Sequence, residues 1–389
     1  MIRNILIFIV LTGCTINNGF CQKPEKVYGF ARQNHDCEWY KTQANLWKTE
    51  TEKNPQNTMA WVYWYRSVRY SLMTCGADLK SASCCSRPLL DSIMIKMGKI
   101  LPNSYEYNYL MYYNGMSNPE MAKYLMKALE IAPDRPEIMS DLVTYYDIQC
   151  NQAKVDEYCK KWYACNELSP GILTWNYNMM VSLDKDAIIF LGGDMDTYPK
   201  MILQSTKNFR KDVKILNVYL LLNESFRNGK LKEMGIPAFE QKTEKFKDRS
   251  SFQKAIISHI VKNAGSRPVY FALSLPEECY QEYKDSIYNE GLVYKYSKER
   301  YDNIAVSKKN YEKLFLLDYI REQFTDDISQ NIVNLSNLNY LAAFIPLYEH
   351  YKLSGDFQKQ KELGELMLTI ARDSGYHDYI DYIQSVVKE

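Results

Sequence analysis

The chain has 389 residues, enough for two or three packed units with sizeable cores. Hydrophobic residues make up 46% and charged residues 24%, the balance of an ordinary globular protein. A net charge of +1, with no run of Lys and Arg interleaved with aromatics, argues against nucleic acid as a partner.

The first 21 residues read as a targeting segment. Met1-Ile2-Arg3-Asn4 is short and basic, and Ile5 to Leu11 is an unbroken apolar run. That run is too short to span a bilayer, which takes about 20 apolar residues, and has the form of a secretory signal. Two exits fit. Leu11-Thr12-Gly13-Cys14 resembles a lipoprotein box, in which Cys14 would carry the lipid; cleavage after Cys21 would give a soluble chain beginning at Gln22. A lipid on Cys14 would be the membrane attachment, because no later window approaches 18 apolar residues. Eight cysteines remain after residue 21, an even number that permits disulfides in an oxidising compartment. Cys75, Cys84 and Cys85 lie in a Ser-, Gly- and Ala-rich insert, where a staple would help most, with Cys37 as a partner. There is no C-x-x-C and the four His residues are scattered, which is a poor basis for a zinc site.

Residues 22–182 carry helical periodicity, as in Trp61-Val62-Tyr63-Trp64-Tyr65 running on to Val68 and Tyr70. Prolines punctuate it at Pro55, Pro102, Pro133 and Pro170, with intervals of 47, 31 and 37 residues. A period in the thirties closed by Pro is the pattern of tetratricopeptide-like helical hairpins, which stack to share one core and leave a concave surface. The 33 tyrosines suit such cores, each packing a ring while keeping a polar tip.

The pattern changes over 183–300. Four short apolar runs, Ala187–Leu191, Val213–Val218, Pro268–Leu273 and Gly291–Tyr296, alternate with helical segments, including one over Glu277 to Asn289. Alternation of this kind predicts a small, mostly parallel sheet of about four strands. Residues 225–250 read as a polar loop or peripheral helix. Over 301–389 the chain is helical again, with helices expected at Tyr311 to Phe324, Leu338 to Leu353, Phe357 to Arg372 and Tyr379 to Val387. The expected class is thus α plus α/β.

The most structured motif follows the first strand: Gly192-Gly193-Asp194-Met195-Asp196-Thr197-Tyr198-Pro199. In open α/β sheets ligands bind outside the carboxyl ends of strands, so Asp194, Asp196 and Thr197 could hold a divalent cation or another ligand through oxygen. The same residues also suit a helix start, with Asp196 or Thr197 as N-cap and Pro199 in the first turn. No P-loop, G-x-G-x-x-G or G-x-S-x-G occurs, and no nucleophile–His pair can be named.

Thr174-Trp175-Asn176-Tyr177-Asn178, the Gly193–Pro199 motif, Leu203-Gln204, Arg210-Lys211-Asp212-Val213 and Leu216-Asn217-Val218 together resemble a block found in Bacteroidota proteins. The block is similar to the soluble C-terminal region of a large multi-spanning membrane family linked to protein O-mannosylation. It also resembles shorter exported tetratricopeptide-like proteins. The resemblance covers about 175–296, with two departures: Met195 stands where Asn is usual, and Lys200-Met201 where an aromatic is usual. Glycosyl-transfer chemistry in the large family belongs with its membrane portion, which this chain lacks, so the resemblance does not make this chain an enzyme. The repeat pattern and the lack of a catalytic set point to an exported cell-envelope scaffold with a protein partner and no cofactor. The alternative is a carbohydrate- or metal-binding protein, or an enzyme, with its site at Asp194 and Asp196.

Overall fold

The computed structural model describes residues 23–75, 86–115, 118–323 and 326–388. The targeting segment with Cys14, and Cys84 and Cys85, lie outside these described residues. The described residues form two compact units, one of those within 23–27 and 36–93, the other of those within 28–35 and 94–388.

The first unit is built on a hairpin of α1 (Cys37–Lys53) and α2 (Thr58–Thr74), followed by the start of α3 (Arg87–Ile100). Asp36 caps α1 by accepting from Trp39 N, and Asn57 caps α2 by accepting from Ala60 N, each satisfying an amide that a helix start leaves unpaired. Tyr40 and Ala44 of α1 and Trp61, Tyr65 and Val68 of α2 are buried. Cys37 opens α1 and Cys75 caps α2, and a disulfide joins them across the open end of the hairpin.

The second unit contains α4 (Tyr105–Asn114), α5 (Ala122–Ile131), α6 (Met139–Ile148), α7 (Gln152–Ala164) and α8 (Pro170–Val181). Helices α4 and α5 pair, as do α6 and α7. The intervals from Pro102 to Pro133 and from Pro133 to Pro170 therefore each hold one hairpin. Pro55 instead lies in the turn inside the α1–α2 hairpin, so the 47-residue interval is not a repeat.

A five-stranded sheet follows: β1 (Ile188–Leu191), β2 (Lys214–Asn217), β3 (Val269–Ala272), β4 (Ile287–Asn289) and β5 (Val293–Tyr296), in the order β2-β1-β3-β5-β4. The four expected strands are all present. β1 runs parallel to β2 and β3, whereas β5 is antiparallel to both β3 and β4. The helix expected over 277–289 is instead two 3-10 turns and the edge strand β4. Tyr280, Tyr283 and Tyr294 explain this: their rings pack together with Phe271 over one face of the sheet, an arrangement that the short β4–β5 hairpin supplies.

Between the strands run α9 (Asp194–Lys207), α10 (Glu224–Met234) and α11 (Arg249–Asn263). Ile189, Leu191, Tyr270 and Ala272 face one core, shared with α8, and Ile188, Phe190, Val269 and Phe271 face the other, shared with α10 and α11. Burial on both faces is why β1 reads as a continuous apolar run. After the sheet come α12 (Asn303–Lys309), α13 (Asp318–Arg321), α14 (Gln330–Asn337), α15 (Leu341–Ser354), α16 (Phe357–Asp373) and α17 (His377–Lys388). The helix expected from 311 is broken at 315–317. Asn178 explains the break: its Oδ1 accepts from Leu316 N at 2.8 Å and its Nδ2 donates to Leu316 O at 2.8 Å, replacing the bonds a helix would make.

The Cys37–Cys75 bond closes a sequence separation of 38 residues. A closed loop of that length stabilises by about 4 kcal/mol through the unfolded chain. Cys37→Ser is expected to lower the stability of this hairpin by about 3–4 kcal/mol in guanidinium unfolding, with reduction of the wild type giving the same loss. Equal stability with and without the bond would count against it.

Candidate functional site

The strand-end motif turns directly into α9. Gly193 is the N-cap and Asp194 the first helical residue, so the cap falls three to four residues earlier than expected and Pro199 lies inside the helix rather than in its first turn. A proline there has no N–H for the carbonyl four residues back, that of Met195. Asn176 of α8 repairs the loss, donating from Nδ2 to Met195 O at 2.9 Å.

Asp196 is 2% exposed. Its Oδ1 accepts from Gly193 N at 2.9 Å, and its Oδ2 accepts from Ser274 Oγ and, at 3.4 Å, from Gly192 N. Thr197 donates from Oγ1 to Gly193 O at 2.6 Å and accepts from Asn217 Nδ2 at 3.0 Å. Tyr198 reaches the α6–α7 hairpin, bonding Thr144 and packing its ring 5.8 Å from that of Trp162. Of the three candidate ligand residues, two therefore have their polar atoms committed to the fold.

Asp194 differs. Its side chain is exposed and makes no hydrogen bond among the described residues. Although open to solvent, it is crowded by protein, and this desolvation, with Asp196's charge second, holds its carboxyl above the usual range.

The local topology also bears on ligand access. The chain passes from β1 to β2 on one side and returns to β3 on the other, which makes the carboxyl ends of β1 and β3 the switch point where α/β sheets usually take ligands. Here the crevice is filled. A Cβ on Gly192 would lie 2.9 Å from Ser274 O and 3.2 Å from Pro276 Cδ, so the turn after β3 presses against the β1 end. Glycine is needed for that approach. Among the described residues no group of three or more His, Cys, Asp or Glu could hold a metal ion.

Sequence reasoning missed the part played by Lys200. Its side chain is 0% exposed, with Nζ donating to Asn176 Oδ1 at 2.6 Å and Asp196 O at 2.7 Å, and lying 5.5 Å from the Trp175 ring centre. Burial pushes its pKa down to about 7, against the opposing pull of Asp196. The only sequence signal was its place where an aromatic is usual. The other residues of the block are also internal ties. Gln204 Nε2 donates to Arg210 O and Val213 O, and Arg210 donates to Met180 O, Leu183 O and Asp184 O. The bond from Arg210 also lowers the pKa of Asp212 to about 2.

Residues 173–233 match the family model described as TMEM260-associated domain 2. The match spans α8 through most of α10, which is the stretch these ties hold together, and it links this part of the chain to the TMEM260 family. Among curated proteins none matches the chain. Fold and match together define a chain of helical hairpins and an α/β segment, part of which is similar to TMEM260-associated domain 2. Among the described residues no helix is long and apolar enough to cross a membrane.

Two outcomes follow. Asp196→Ala is expected to destabilise by about 3 kcal/mol, because it strands buried donors, whereas Asp194→Asn should change stability by less than about 0.5 kcal/mol. Equal effects in urea unfolding would contradict the division of roles. For Lys200, an unfolded lysine titrates near 10.4, so between about pH 7 and 9.5 the unfolded chain holds a proton that the folded chain has released. Stability contributed by this group is lost as pH falls toward 7 and rises by about 1 kcal/mol per pH unit above it. Lys200→Met should flatten that rise in urea midpoints taken at pH 7, 8 and 9, and an unchanged slope would refute the assignment.

Proposed function

We propose that this chain is an exported cell-envelope protein that acts as a protein-interaction scaffold through its helical hairpins. In this reading the targeting segment is cut on export, either before a lipidated Cys14 or after Cys21 to leave Gln22 first, residues 22–182 supply the binding surface, and 183–300 form a rigid α/β insert followed by the helical 301–389. The observation that carries it is the pairing of α4 with α5 and of α6 with α7 at successive proline-marked intervals. Arrays of this kind bury one shared core and offer extended surfaces to partners. The internal bonding of Asp196 and Thr197 adds to it by leaving the strand end few free ligand atoms.

A second reading places a metal, carbohydrate or reaction at Asp194, and the exposure of that carboxylate is its support. The test is crosslinking and capture from gently solubilised envelope with a C-terminal tag, with the intact mass of the mature chain read from the same sample. One stoichiometric envelope partner, retained by Asp194→Asn, is the expected result. No partner, together with glycan or metal binding abolished by Asp194→Asn, would overturn the scaffold in favour of the second reading.

A further inference from the structure

A cavity of about 200 Å³ lies between the α6–α7 hairpin, α9, α10 and the free edge of β2. Its wall is unusual in charge. It carries three acids, Asp147, Asp156 and Glu233, and three lysines, Lys211, Lys214 and Lys230. Two pairs cancel internally: Lys230 Nζ to Asp147 Oδ1 at 2.7 Å, largely buried, and Lys214 Nζ to Glu233 Oε1 at 2.7 Å. One charge of each sign remains. Asp156 accepts only from neutral donors, Ser205 Oγ at 2.7 Å and Gln152 Nε2 at 3.0 Å, both on Oδ1. Lys211 has no partner among the described residues.

The backbone adds a matched donor and acceptor. β2 is the edge strand, bonded to β1 alone. In a parallel ladder alternate residues bond to one neighbour. Lys214 N bonds to Ala187 O and Val218 N to Leu191 O, so the N–H and C=O of Ile215 point to the open side, where Ile215 lines the cavity. On that side Val213 is already satisfied by Arg210 O and Gln204 Nε2. Gln204, held by its Nε2, keeps its Oε1 as a further acceptor in the wall.

We infer that this cavity binds a small zwitterion of amino-acid or dipeptide size, its ammonium held by Asp156 and its carboxylate by Lys211, with Ile215 pairing to the main-chain groups between. The volume is below that of drug-sized pockets and suits a ligand of this scale. A ligand with one charge engages only one of these two groups, whereas a molecule carrying both charges engages the two together. The site is separate from the strand-end motif and does not depend on the scaffold reading.

The test is calorimetric titration of the full-length mature chain with each of the common L-amino acids and with Gly-Gly, using acetate and methylammonium as single-charge probes. At least one zwitterion is expected to bind saturably, with a Kd below about 1 mM. Lys211→Met, an exposed change compatible with folding, should weaken it about tenfold or more, and Asp156→Asn should do the same. Asp194→Asn should leave it unchanged. Saturation by no zwitterion at 10-fold higher concentration, binding of acetate alone as tight as that of the zwitterion, or a Kd untouched by Lys211→Met would each overturn the inference.

Discussion

The fold of the second unit depends on how it satisfies backbone polar groups that its own helices and strands leave open. Three such places are the start of α9, the carbonyl that Pro199 orphans, and the chain break at Leu316, far along the sequence from the other two. Each is closed by one side chain from the 174–217 block, respectively Asp196, Asn176 and Asn178. A buried unpaired amide or carbonyl costs a substantial part of a domain's net stability, so these few side chains decide whether the elements can meet as they do. Asn178 also bonds the fully buried Tyr340, so the same block that shapes the strand end fixes the helical layer that follows the sheet.

This explains why the block resembles a ligand site while behaving as part of the framework. Carboxylates, amides and glycines at a strand end are what a cation or phosphate site needs, and they are equally what a helix start needs when it is packed against a neighbouring turn. What separates the two uses is where the lone pairs go. Here they go to Gly192, Gly193 and Ser274, and only Asp194 remains directed to solvent. Lys200 belongs to the same network, because it completes the bonding of Asn176 at the cost of burying an amine beside Trp175.

Much of the fold was legible in the sequence because it rests on periodicity and punctuation. The helical hairpins over 102–164, the strands β1, β2 and β3, and the final helices α15 to α17 all follow apolar spacing and Gly or Pro breaks. The misreadings have a common cause, which is a tertiary partner overriding a local pattern. Asn178 breaks the helix expected at 311–324, aromatic packing on Phe271 turns 277–289 into a hairpin arm, and Asn176 lets α9 begin before its proline. In the candidate site the residues were legible but their roles were not, since no spacing rule reports that Ser274, 78 residues away, meets Asp196. Lys200 was visible only as a departure from a resembling family.

If the motif is a framework clasp, the amides of Gly192 and Gly193 are already bonded in the free protein. The most direct measurement is amide hydrogen exchange of the unliganded chain across 188–193. Exchange of Gly193, and more weakly of Gly192, through the same opening as Ile188–Leu191 is the expected result, given the bonds both make to Asp196. Fast exchange at both glycines beside protected strand amides would mean that the loop holds open donors for a ligand, and would contradict the clasp.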